Sequence, residues 1–174
     1  MKPFAPFSDN VIFYDTEFSS KDPYIGEIIS IGAVKMNGEE FYCEVEYEGE
    51  YSEWVQKNLL SSLTAEKVSR VEAVNLLKSF IGKNRPYMIC HGNGSDVVYT
   101  RKLFGKDDFG FHEVVIDFAA ILFGLGYDPS VFRNNDFTEL AQQLGVPTDV
   151  GHTHNALDDA KFLREVYLAL VNKK

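Results

Sequence analysis

The chain has 174 residues, enough for one domain with a sizeable core, and its 45% hydrophobic and 25% charged residues are the balance of a soluble globular protein. A net charge of −9, from 26 acids against 17 lysines and arginines, argues against a protein that neutralises many phosphates with its own side chains. No apolar stretch reaches membrane-spanning length, and the start (MKPFAPF) lacks the basic segment and apolar run of a secretory signal, so a cytoplasmic protein is expected.

Residues 11–14 (VIFY) form a short apolar run that ends at Asp15 and reads as a buried strand. Residues 27–36 (EIISIGAVKM) read as a second strand, Asn37-Gly38 as a hairpin turn, and residues 40–47 as the returning third strand. A helix is expected over 52–60, and Ser69 with Glu72 forms a capping box for another that ends near Gly82. Residues 86–90 (PYMIC) predict a fourth strand, and 95–104 a helix stopped by Gly105. Residues 114–116 are a short strand that runs into an apolar helix over 118–125. Asp136 with Glu139 caps a helix that ends before Gly145-Val146-Pro147, and a last amphipathic helix covers 155–171. Strands joined by a hairpin, then alternating helices and strands, predict an α/β mixed sheet covered by helices in one domain, residues 1–174. Cys43 and Cys90 sit in apolar strand-like segments, as buried free thiols of a reducing compartment do. Most of the 14 Phe and 9 Tyr belong to the core, with a few rings left for base stacking.

Four carboxylates stand out. Asp15 and Glu17 are two apart at a strand end, so they leave the same face and repel each other unless a cation compensates. A hard divalent ion with oxygen ligands is one solution; two solvated loop acids are the other. Asp96 opens a helix, where the dipole favours an acid for structural reasons alone. On the last helix, Ala156, Ala160, Leu163, Tyr167 and Leu170 form the apolar stripe, and at about 100° per residue Asp159 falls inside it while Asp158 points outward. An inward carboxylate is costly unless it is metal-bound or paired with Arg or Lys. His154 approaches the same place from the loop before the helix, where neutral imidazole, the form a general base needs, is favoured; His152 is its rival.

Together these residues resemble the DnaQ-like exonuclease superfamily, in its subgroup with four acids and a histidine (DEDDh). VIFYDTEF is similar to the first motif, ICHGNGSD to the second, with His91 five residues before Asp96, and HNALDDA to the third, with His154 and Asp159. The resemblance runs in the family's order from about residue 11 to 167, and EIISIGAV with its hairpin follows the first motif as it does there. YDTEF, EEFYCEV and EWVQKNLL are further similar to small bacterial and phage 3′–5′ exoribonucleases. Gly94-Ser95 departs from the pattern, since related enzymes carry an aromatic before that Asp.

The resemblance implies a ribonuclease H-like fold with a five-stranded mixed sheet, and two-metal hydrolysis by Mg²⁺ or Mn²⁺. Asp15, Glu17 and Asp159 would hold one ion and Asp15 would bridge a second. Asp96 would be the fourth metal-binding carboxylate, ordering the metal site directly or through water, His154 would act as general base, and Thr16 and Phe18 would contact the terminal nucleotide, although Phe18 is equally a core candidate. The implied partner is a single-stranded 3′ end, RNA favoured, with a homodimer as the expected assembly and no membrane. The rivals are a deoxyribonuclease of the same superfamily, a non-catalytic module that keeps the fold, and an unrelated Ca²⁺- or Mg²⁺-binding domain. The second should have lost an acid or the histidine, and this chain keeps them all.

Overall fold

The computed structural model describes residues 6–92, 94–129, 138–148 and 153–172. The N-terminal run is a strand, β1 (Val11–Phe18), that continues four residues past the expected end, so Asp15 and Glu17 lie within it. β2 (Ile28–Lys35) pairs antiparallel with β1 and with β3 (Glu40–Val45). Gly38, at φ 90°, makes the turn between β2 and β3, which no β-branched residue would accept. The helix expected over 52–60 is shorter, α1 (Glu53–Asn58), followed by a single 3₁₀ turn at Leu60–Ser62. α2 (Arg70–Ile81) starts at the expected cap: the Ser69 hydroxyl accepts from the Glu72 N–H at 3.2 Å.

β5 (Tyr87–Cys90) lies parallel to β1, and α3 (Asp96–Phe104) follows it. A two-residue β6 (Ile116–Asp117) pairs parallel with β5 and leads into α4 (Phe118–Gly124). The chain ends with α5 (Thr138–Leu144) and α6 (Ala156–Asn172). The expected Asp136 cap lies outside the described residues.

Among the described residues the sheet has six strands, in the order β4-β3-β2-β1-β5-β6 with β4 at Lys67–Val68, where five were expected. The sixth is β4 (Lys67–Val68), which adds parallel to the edge of β3. Two residues carry no alternation for a sequence pattern to register.

β1 is central, and its alternation divides the core. Ile12 and Tyr14 face α2 and α3, with Ile31, Ala33, Leu77 and Leu103. Val11 and Phe13 face α4, α5 and α6, with Leu122, Leu140, Phe162 and Val166. Among the described residues no helix is long and apolar enough to cross a membrane.

One contact sets the height of α6 over the sheet. Gly32 on β2 lies opposite Asp15 on β1. A Cβ on Gly32 would fall 2.1 Å from the backbone C and O of Ala156 and 2.2 Å from the Leu157 N. The first turn of α6 therefore rests on bare sheet backbone. Gly32→Ala should cost roughly 1–3 kcal/mol, the usual range for overpacking against atoms that cannot yield. Gly124→Ala, at a helical glycine with nothing within 4 Å, is its control and should be neutral or slightly stabilising. Urea unfolding should show a lower midpoint for Gly32→Ala alone; equal midpoints would mean that α6 shifts freely.

Candidate active site

The site forms where the α6-facing side of β1 meets the first turn of α6. Asp15 and Glu17 continue the face that starts with Val11 and Phe13, so the strand that builds the core beneath α6 also delivers two acids to its N-terminus. A register irregularity follows between Glu17 and Phe18 and ends the regular pairing there. Asp159 lies in the first turn of α6 and points inward, while Asp158 is only half-buried. Asp15, Glu17 and Asp159 are 7%, 9% and 7% exposed, and one carboxylate oxygen from each lies within 4.8 Å of the others.

Asp96 is also buried but stands outside that group of three. Its Oδ1 accepts two hydrogen bonds from Thr16, from the hydroxyl at 2.7 Å and from the backbone N–H at 3.1 Å. One turn on, the Thr100 hydroxyl donates to the Asp96 carbonyl at 2.6 Å and meets the Tyr14 hydroxyl at 3.0 Å. The start of α3 is thereby fastened to the middle of β1. Asp117 steadies the turn before it: its Oδ1 accepts from the Gly92 N–H at 3.2 Å and caps α4 through the Ala119 N–H at 2.9 Å.

Burial and mutual repulsion favour the protonated forms of Asp15, Glu17 and Asp96. Burial pushes the Asp15 carboxyl well above the ordinary carboxylate range, and Asp96, Glu17 and Asp159 push it further. Glu17 is raised to about 8, by burial and then by Asp159 and Asp96, with Lys21 opposing. Asp96 is raised to about 7 by burial and by Asp117, against the two Thr16 hydrogen bonds. Carboxylates this strained are a fit for a hard cation, which replaces protons as the neutralising charge. The donor set, three carboxylates with oxygens in mutual reach, is an oxygen-only set of the kind that Mg²⁺ or Mn²⁺ takes.

His154 stands in the loop immediately before α6, the helix that carries Asp159. It adopts φ 56°, a left-handed conformation that is uncommon outside glycine. Both neighbours fix it there. The Thr153 N–H donates to Asp159 Oδ1 at 3.0 Å, and Asn155 Oδ1 caps α6 through the Leu157 and Asp158 N–H groups at 3.1 and 3.3 Å. His152, the rival base, lies outside the described residues.

Thr16 and Phe18, the expected contacts of the terminal nucleotide, each have a partner within the protein. The Thr16 hydroxyl is engaged by Asp96. Phe18 lies with the opposite core, stacked on Tyr99 at 4.5 Å with 9° between the rings. Three other residues lie outside the three motifs that carry the acids and the histidine. Trp54 on α1 stands edge-to-face with His154, and Lys21 is placed over its ring at 5.9 Å. Glu44, fully buried on β3, lies across Ser30 from Glu17 in the strand register. Its Oε1 accepts from the Tyr42 hydroxyl at 3.0 Å and the Ala65 N–H at 2.9 Å. A lone Trp on a six-residue helix and an acid in an alternating strand look ordinary in a sequence.

The backbone is similar to that of E. coli Exonuclease I, solved in complex with a dT13 oligonucleotide, with TM-score 0.68 and 13% identity over 94% of this chain and 41% of that one. It is also similar to the RNase domain of the yeast Pop2 protein, with TM-score 0.63 and 15% identity over 91% of this chain and 76% of that one. The chain thus spans about two fifths of Exonuclease I. At these identities the likeness is one of fold, a ribonuclease H-like mixed sheet covered by helices. No curated protein matches the sequence. Residues 10–171 match the model of the Rv2179c-like 3′–5′ exoribonuclease domain, and the chain belongs to that family.

Proposed function

We propose that this chain is a divalent-metal-dependent 3′–5′ exoribonuclease that releases nucleoside 5′-monophosphates from single-stranded 3′ ends, with residues 1–174 acting as one catalytic domain in the cytoplasm. The observation that carries this reading is the buried triad Asp15, Glu17 and Asp159, with oxygens within 4.8 Å, in a chain of an exoribonuclease family. Asp15, Glu17 and Asp159 would hold the ions. When bound, divalent ions would lower the pKa of the attacking water and neutralise the leaving 3′ oxygen. His154 takes the proton from that water. Asp96, fastened to Thr16, keeps α3 and β1 in register and adds negative charge behind the ligands. With a net charge of −9, binding is local to the last few nucleotides, so cleavage is distributive and weakly salt-dependent. A paired end is a poor substrate, because its terminal base must first unstack.

The test is a time course on 5′- and 3′-labelled single-stranded RNA and DNA with Mg²⁺, Mn²⁺ or EDTA. The 5′-labelled strand should shorten gradually, and the 3′-labelled strand should release a mononucleotide at once, faster from RNA. Asp15→Ala and Asp159→Ala should each abolish hydrolysis, Asp158→Ala should keep most of it, and His154→Ala should lose a factor of roughly 10²–10⁴ in turnover. Internal cuts, or a dead Asp158→Ala beside a working Asp159→Ala, would refute the assignment.

A second test needs no substrate. Ordinary values of 3.8 for Asp and 4.5 for Glu become about 7 for Asp96 and about 8 for Glu17 on folding. Between those limits the folded, EDTA-treated protein binds more protons than the unfolded chain. Its stability from these groups is therefore full on the acid side and lost as the pH rises through about 4 to 8. Melting curves across that window should show Tm falling with pH in EDTA. Mn²⁺ should remove most of the fall, and Asp15→Asn should raise Tm in EDTA at the alkaline end. A Tm that rises with pH in EDTA for the unsubstituted protein, with no response to Mn²⁺, would exclude a metal site here.

A further inference from the structure

Trp54 belongs to none of the three motifs, yet it stands against the proposed base. Its ring and that of His154 meet edge-to-face, with centroids 4.9 Å apart and planes at 81°. At 43% exposed it is no core residue, so a contribution to packing does not account for its place.

Its position is fixed relative to the acids. The Ser52 N–H donates to the carbonyl of Ser19, one residue past β1, at 2.9 Å, and the Ser52 hydroxyl caps α1 by accepting from the Val55 N–H at 3.4 Å. Val55 and Leu59 bury α1 against Ile29 on β2. The short helix is thereby tied to the same two strands that carry Asp15, Glu17 and Gly32. Lys21 Nζ over the indole, 5.9 Å from the ring centroid, adds a cation–π contact.

The bonds at Thr153 and Asn155 fix the backbone of His154 but leave its two side-chain torsions to other contacts. An edge-to-face ring contact selects one orientation of an imidazole from among its rotamers. We propose that Trp54 is a positioning residue for His154, holding the imidazole in the orientation from which it takes the proton of the attacking water. This rests on the reading of His154 as the general base.

The experiment is a double-mutant cycle in kcat and KM on single-stranded RNA with Mg²⁺, using the unsubstituted protein, Trp54→Ala, Trp54→Phe, His154→Ala and the Trp54→Ala/His154→Ala pair. Trp54→Ala should lower kcat by roughly three- to tenfold, the worth of one aromatic contact, with KM changed less than about twofold. Trp54→Phe keeps a ring there and should recover most of the loss. In the His154→Ala background, adding Trp54→Ala should change kcat by less than about twofold, because nothing remains to be positioned. An equal drop in both backgrounds, or an effect confined to KM, would overturn the proposal and point to a stacked nucleobase instead. If the Trp54→Ala protein does not fold by circular dichroism, Trp54→Leu, which fills the place without a ring, alone and combined with His154→Ala decides: a kcat loss only in the background that keeps His154 supports the proposal, and the same factor in both backgrounds overturns it. A His154→Ala protein with normal turnover would remove the base itself, and this inference with it.

Discussion

Three buried carboxylates that repel one another must be held together by contacts elsewhere, and here the decisive contact is the first turn of α6 on the bare backbone of Gly32. Asp159 and His154 both belong to that end of α6, and Asp15 is the register partner of Gly32. The absence of one side chain lets a helix approach a sheet closely enough to bring an acid from each within ligand distance. Any residue with a Cβ there would lift the helix, and the acids would separate, as their charges already favour. The apolar stripe of α6, from Ala160 to Leu170, supplies the opposing force by burying itself against Phe13, Leu122 and Leu140.

This division of labour explains which parts were legible in the sequence. The inward place of Asp159 and the outward place of Asp158 follow from helical periodicity, because α6 is long and amphipathic. The shared face of Asp15 and Glu17 follows from the period of two, although the strand continues past both. The role of Gly32 was not legible: a glycine within an apolar strand signals a close approach without naming what approaches. β4 is too short to leave a pattern, and Trp54 acquires its meaning only when α1 folds back on β2. Asp96 lies between these cases. Its motif marks it, but only the structure separates it from the three-acid group and attaches it to Thr16.

The charge balance takes on a different sense once the site is described. A chain at −9 has little general attraction for a polyanion, and the acids that matter most add to the repulsion. Burial raises Glu17 to about 8 and Asp96 to about 7, which favours protons on these acids over further negative charge. On the proposed function, divalent ions would exchange those protons for positive charge where the phosphate is attacked, and affinity would be concentrated at the site, as suits an enzyme that acts on a chain end.

β1 is the element on which both halves of this arrangement depend. Its even-numbered residues, Ile12, Tyr14 and Thr16, serve the side of α2 and α3; Tyr14 meets Thr100, and Thr16 holds Asp96. Its odd-numbered residues, Val11, Phe13, Asp15 and Glu17, serve the side of α6. A slip of one residue would drive both acids into the apolar side and put Tyr14 and Thr16 beneath α6, so the register is fixed by the whole core. The irregularity after Glu17 ends the alternation just beyond the last acid, and Ser19 then binds both Glu27 and Ser52. The strand that organises the core thus hands over, within two residues, to the loop and helix that carry Lys21 and Trp54. A core strand can present reactive groups at its end without loosening its middle, because the change from packing to chemistry falls where the regular pairing stops.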